Sequence, residues 1–169
     1  NMDNTYVPKK LIVPFMETVH DRIMLELFRG CIRGCRFCQA GYIYRPVRER
    51  SVDKLVETAG ECIKNTGYEE MSMSSLSTSD YTDLDELTNK LLDITVDKRI
   101  NLSLPSLRVD NFSMELMEKV QKVKKSGLTF APEAGTQRLR DVINKNVLES
   151  DLIRTSNICL LYTSDAADD

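Results

Sequence analysis

Ile23-Met24-Leu25-Glu26-Leu27-Phe28 leads directly into Arg29-Gly30-Cys31-Ile32-Arg33-Gly34-Cys35-Arg36-Phe37-Cys38. The first six residues read as a mostly buried strand, and Arg29-Gly30 ends it. The cysteines that follow are spaced C-x3-C-x2-C, so one short loop carries three thiols able to meet on one metal centre. A closed zinc site or a fully protein-ligated iron–sulfur cluster takes four protein ligands. The nearest fourth cysteine, Cys62, lies far along the chain in a segment that reads as helix. Three ligands and one open position describe a reactive site, as in catalytic zinc centres. Gly30 and Gly34 let the backbone fold tightly and turn N–H groups toward sulfur. Arg29, Arg33 and Arg36 bring positive charge beside three thiolates. Phe37 stands where it shields one face of a cofactor from water.

Working outward, a βα rhythm repeats. Ser51 caps a helix with Val52, Leu55, Val56, Ala59, Cys62 and Ile63 on one face, stopped by Gly67. Met71–Leu76 is the second strand, followed by a helix from Asp83, with Glu86 completing a capping box and Leu84, Leu87, Leu91 and Leu92 on its face. Ile100–Leu104 is the third strand, and Ser113 caps a helix through Met114, Leu116, Met117, Val120 and Val123 that Gly127 closes. Leu128–Ala131 is the fourth strand, and Thr136 caps a helix through Leu139, Val142 and Ile143. Strands alternating with helices predict an α/β fold with a parallel sheet and right-handed crossovers, either a barrel segment or an open doubly wound sheet. In both, chemistry gathers beyond the carboxyl ends of the strands, where the three cysteines lie.

The 169 residues are 41% hydrophobic and 29% charged, which suits one globular domain. No apolar run approaches a membrane span. A formal charge of -3 gives no electrostatic support for nucleic-acid binding. Five cysteines, three of them clustered, do not form a secreted disulfide framework, and metal-binding thiols point to the cytoplasm. Residues 1–18 read as a linker from an upstream domain and 19–157 as the core. Residues 158–169 resemble translated adapter sequence and are set aside as a non-native tail. Without the tail's Asp165, Asp168 and Asp169 the formal charge is about zero.

The cysteine motif, with an aromatic before its last cysteine, resembles the signature of the radical S-adenosylmethionine superfamily. The longer run, Val19-His20-Asp21-Arg22 through Gln39-Ala40-Gly41-Tyr42-Ile43-Tyr44-Arg45-Pro46-Val47-Arg48-Glu49-Arg50-Ser51, is similar to a bacterial subfamily with a cobalamin-binding-like domain ahead of the radical core. The resemblance covers roughly Pro14 to Ile153. It implies a partial TIM-type (βα) barrel: about four βα units of a six-unit core, truncated. It implies that Cys31, Cys35 and Cys38 hold a 4Fe–4S cluster whose fourth iron binds S-adenosylmethionine. One-electron reduction then yields methionine and a 5′-deoxyadenosyl radical that abstracts hydrogen from a substrate. A reductant such as flavodoxin or ferredoxin is implied, and cobalamin in the longer protein. No acid–base catalyst is required.

Further cofactor-binding candidates follow the later strands. The family often has Gly-Gly-Glu after the second strand; this chain has Ser77, Thr78 and Asp80 instead. These offer carbonyls and a carboxylate to the ligand's amino group, or form a hydroxyl-rich turn. Ser106 and Arg108 follow the third strand, and Arg108 either clamps a carboxylate or pairs with Asp110. Glu133 is the candidate for the ribose hydroxyls, and Arg138 sits in the first turn of the next helix, where its charge opposes the helix dipole. Arg45, Arg48 and Arg50 meet an anionic substrate or a partner domain, or form a solvated face paired with acids such as Glu49. His20 closes a turn or binds metal. Met71, Met73, Met114 and Met117 read as core. Two rival functions remain: a non-catalytic iron–sulfur electron carrier, which needs Cys62 as fourth ligand, and a structural zinc module that mediates association.

Overall fold

A computed structural model describes residues 1–111, 113–121, 123–124 and 128–163, with side chains described through residue 160. Three parallel strands form its sheet: β1 (Ile23–Glu26), β4 (Glu70–Ser74) and β5 (Asn101–Ser103), in the order β1-β4-β5. Register puts Ile23 beside Met71 and Leu102, and Leu25 beside Met73. Side chains alternate across a strand, so these residues share one face, and each is almost fully buried. The opposite face carries Met24, Glu26, Ser72, Ser74 and Ser103. Met24 is 53% exposed there. One face of the sheet therefore makes the core, and the other is mainly polar and partly exposed, though Ser72 on it is buried.

Helices cover the apolar face. In α2 (Val52–Thr66), Ser51 accepts from the Lys54 amide, and Val52, Leu55, Ala59 and Cys62 are buried. In α3 (Leu84–Thr95), Leu87, Leu91 and Leu92 are buried, and α4 (Met114–Val120), capped by Ser113, turns Leu116, Met117 and Val120 inward. Together with the strands they form one hydrophobic cluster. Residues near the amino end dock on α2. Lys9 pairs with Glu57 and Glu61, and the Arg50 guanidinium donates to the Met2 carbonyl. The short helix α5 (Gln137–Val142) and α6 (Glu149–Thr163) complete the chain. The boundary expected at residue 158 falls inside α6.

Several expectations need correction. The strand predicted over Ile23–Phe28 divides at Leu27: β1 joins the parallel sheet, whereas β2 (Phe28–Arg29) pairs antiparallel with β3 (Arg48–Glu49). Leu128–Ala131 is not a strand. It stays partly or fully exposed, and no strand follows β5 among the described residues. The run joins neither sheet among the described residues, and a short strand needs a ladder to be stable. Three parallel strands fit part of a (βα) barrel, but they do not close one. Asp83 makes no side-chain cap bond, and Glu86 pairs instead with Lys90 at 2.8 Å. The α4 helix ends at Val120, before Val123, and Gly127 lies outside the described residues. Finally, α5 leaves Leu139 and Val142 exposed and buries Arg140. The inward face is set there by carbonyl acceptors rather than by apolar spacing.

Candidate functional site

The cysteine loop, residues 30–47, is bracketed by the β2–β3 ribbon, which pairs Phe28 with Glu49 and Arg29 with Arg48. Phe28 also stacks on Tyr81, ring centroids 6.5 Å apart. The Tyr81 hydroxyl donates to the Arg50 carbonyl at 2.7 Å, and burial pushes its phenol up to about 12. Within the loop, Gly30 has φ +99°, and a Cβ there would lie 2.5 Å from the Tyr44 carbonyl oxygen. Only glycine fits that approach. A short helix, α1 (Ala40–Ile43), brings the chain back.

A second segment props the loop from outside. Asn144, after α5, donates from Nδ2 to the Gly34 carbonyl at 2.9 Å. The Arg36 amide donates to Ile143 at 2.9 Å, and its guanidinium donates to the Val142 carbonyl. Lys145 lies 6.0 Å from the Phe37 ring centroid and pairs with Glu133 at 3.2 Å. Phe37 is 56% exposed, with this cation over its ring.

Cys31, Cys35 and Cys38 are free thiols; Cys35 is buried and the others half-buried. The Cys38 amide donates to the Cys35 carbonyl, closing the turn between them. Among the described residues no three His, Cys, Asp or Glu side chains converge as a metal-binding group. Gathering three thiolates costs mutual repulsion unless a metal offsets it. The donor set itself fits an iron–sulfur centre: three thiols of one loop, with its backbone pinned on both sides. Cys62 is not part of it. Its thiol faces the Pro8 carbonyl at 3.8 Å, and burial pushes it above the ordinary thiol range, which disfavours the thiolate a metal needs.

The loop sits at the carboxyl ends of the strands. An open pocket of about 460 Å³ lies there, lined by Glu26, Phe28, Gly30, Tyr44, Ser74 and Leu76. Another of about 460 Å³ is lined by Cys31, Ile32, Arg45, Pro46 and Val47. A larger cavity of about 660 Å³ touches Asp21, Glu70, Arg99 and Asn101, at the amino ends of the strands. Parallel α/β folds run their chemistry at the carboxyl ends, so the smaller pockets carry the functional argument.

The remaining candidates distribute unevenly. Ser77 and Thr78 are buried in a 3-10 turn, where their carbonyls accept from Asp80 and Tyr81. The Thr78 hydroxyl donates to the Pro105 carbonyl at 2.6 Å, and its amide donates to Ser106. Ser106 itself is exposed, at φ +60°. Arg108 grips Asp110 with two bonds, 2.9 and 3.0 Å. Asp80 accepts from Arg33 through both oxygens. Burial alone would raise the Asp80 pKa, but the Arg33 hydrogen bonds and the charges of Arg33 and Arg108 outweigh it and hold the carboxyl below its usual range. Glu133, at φ +68°, is brought to the loop through Lys145 and Phe37. Arg138 is exposed on α5. His20 is exposed in a turn, its carbonyl accepting from Arg22. Arg50, grouped with surface arginines on sequence, is buried and bonded to Glu26 and Met2. Arg29 spends its charge on Glu26 rather than on the thiols.

Sequence reasoning missed Asn144, Lys145, Asp110 as a partner of Arg33, and Arg140. One signal was present. Asn144 follows a helix, where asparagine readily takes the left-handed conformation, and its φ is +56°. The Arg33–Asp110 contact spans 77 residues and Lys145 meets the Phe37 ring, which no local pattern announces, whereas Arg140 bonds Ala134, Gln137 and Val147 nearby against its helix's apolar spacing.

Comparison with known proteins agrees with this geometry. Residues 25–160 match the model of the radical SAM superfamily, and the chain belongs to that superfamily. It is 40% identical over 129 residues to an uncharacterized protein of Methanocaldococcus jannaschii, covering 76% of this chain and 28% of the relative. It is 26% identical over 126 residues to a second protein of that organism, named "Putative methylthiotransferase", covering 69% of this chain and 27% of the relative. The chain thus spans little more than a quarter of either relative. No helix among the described residues is long and apolar enough to cross a membrane.

Proposed function

We propose that this superfamily member binds a 4Fe–4S cluster through Cys31, Cys35 and Cys38, with S-adenosylmethionine at the open coordination position, as part of an enzyme of radical chemistry. The observation that carries the reading is a pinned loop that itself carries three free thiols, with Cys62 turned to the Pro8 carbonyl, at the carboxyl ends of parallel strands whose polar face is lined by serines. When bound, that group supplies one-electron cleavage of a sulfonium and, from it, hydrogen abstraction. The chain's own residues bind, orient and exclude water around it.

Under this reading the pocket beside Gly30, Tyr44 and Ser74 receives the cofactor. Glu133 accepts from ribose hydroxyls, with Lys145 setting its position. Ser77, Thr78, Ser106, Arg108 and Arg138 line or support the rim. Phe37 covers one side. The reductant is a one-electron donor such as flavodoxin or ferredoxin. The cobalamin-binding-like domain belongs to the longer protein, a reading that rests on the runs flanking the cysteines and is checked by corrinoid binding to full-length protein.

Anaerobic reconstitution tests the central assignment. About four irons per chain and visible absorption are expected, and Cys35→Ala abolishes both. Stoichiometric colourless zinc would support the association module instead, and two irons per chain would also sink the proposal.

A further inference from the structure

We propose that Arg33 is a positioning residue: from between Cys31 and Cys35 it ties the cysteine loop to the loops after β4 and β5 through Asp80 and Asp110. The proposal deepens the cluster reading and rests on it.

The geometry is specific. Arg33 Nε donates to Asp80 Oδ2 at 2.7 Å, and Nη2 donates to Asp80 Oδ1. Its remaining arm, Nη1, reaches Asp110 Oδ2 at 3.2 Å. Asp110 is in turn gripped by Arg108, whose amide donates to Ser79 Oγ at 3.0 Å. The row Asp80, Arg33, Asp110, Arg108 therefore alternates in sign. Its side chains are 7%, 22%, 14% and 9% exposed. Loops following all three parallel strands contribute to it: Arg33 after β1, Asp80 after β4, Arg108 and Asp110 after β5.

That placement has a consequence. A surface ion pair contributes little, because water screens it and two long side chains must be ordered. This row is mostly shielded, and its Arg33–Asp80 contact is two-pronged, which fixes direction as well as distance. Lysine cannot reproduce the fork. Both Asp80 oxygens accept from Arg33 and the side chain is only 7% exposed, so the role proposed for Asp80 is exerted through the loop. Partners of this kind, one step behind the ligands, typically alter metal affinity by about 10–100-fold when removed.

The test uses full-length protein, reconstituted anaerobically. Iron content, the rate of iron loss to a ferrous chelator, and the spin-resonance spectrum of the reduced cluster with and without S-adenosylmethionine are measured. The variants are Asp80→Asn, Arg33→Lys and the charge-balanced pair Arg33→Gln/Asp80→Asn, the last guarding against misfolding from a lone buried charge. About four irons per chain are expected in each. Iron loss should accelerate about tenfold or more, with a changed spectral response to S-adenosylmethionine. Arg33→Lys should rescue little, and the double variant should be no worse than Asp80→Asn. Loss rates and spectra that match wild type in Asp80→Asn and the double variant would overturn the positioning role while leaving the cluster intact. Wild-type protein that takes up no iron would overturn the cluster reading, and this proposal with it.

Discussion

The sheet with its covering helices and the cysteine loop with its props are held by different forces. In the first, Ile23, Leu25, Met71, Met73, Leu87, Leu91 and Leu102 are at most 1% exposed and meet in one cluster. Burial is non-directional and scales with the apolar area removed from water. In the second, arginine and asparagine side chains bond backbone carbonyls, some far along the chain, as Arg36 to Val142 and Asn144 to Gly34, and some nearby, as Arg45 to Gly41 and Arg140 to Val147 and Ala134. Such bonds depend on direction and fail abruptly when a donor is displaced. The cysteine loop is thus the region with little apolar packing of its own. A loop proposed to hold a cluster would have to present its ligands, and directional bonds hold a backbone without filling the space beside it.

Substitutions can break or sharpen this contrast. Leu25→Ala should cost about 3 kcal/mol in denaturant unfolding, whereas Leu25→Met should cost under about 1.5 kcal/mol. Equal losses would mean that shape, not burial, holds the sheet. Next in size, Arg140→Met should cost about 2 kcal/mol, since it strands buried carbonyl acceptors, and Arg140→Lys should recover less than half of it. Full recovery by lysine would remove direction from the account of the second region.

The acid limb gives a smaller and more selective effect. Asp80 has a depressed pKa in the folded chain, so its pairing with Arg33 stabilises the fold above the ordinary value of 3.8 and is lost as pH falls through the folded value. Asp80→Asn should therefore be less stable than wild type by about 1–2 kcal/mol at pH 7, and the gap should narrow as pH falls below 3.8 and through the folded value. A gap independent of pH would show that the side chain's packing, not its charge, matters. Asn144→Ala should cost about 1 kcal/mol. Least of all, Phe37→Ala should change stability by under about 0.5 kcal/mol, because the ring is largely exposed.

The legibility of the molecule divides along the same line. The α2 helix follows its apolar spacing, from the Ser51 cap to Gly67, and β4 and β5 fall on the short alternating runs read as strands, β4 starting one residue earlier. Spacing misleads where burial is not the organising force. Leu128–Ala131 looks like a strand but joins neither sheet among the described residues. In α5 the residue turned inward is a charged one. Arg50 looks like part of a basic surface and is buried on carbonyls and Glu26. Asp80 and Arg108 were each legible as carboxylate and guanidinium on the rim, but their partners were not.

By itself the amino-acid sequence determined most of the βα rhythm, the helix caps at Ser51, Ser113 and Thr136, and the three thiols in one glycine-rich loop. These depend on periodicity and on neighbours a few residues apart, which a linear reading contains. Only the tertiary structure decided that the first strand divides at Leu27, that Asn144 and Arg36 pin the loop, that Cys62 faces Pro8, and that Arg33 joins Asp80 and Asp110. A directional bond between distant residues has no period, and it exists only once the burial of the sheet has brought its two ends within reach.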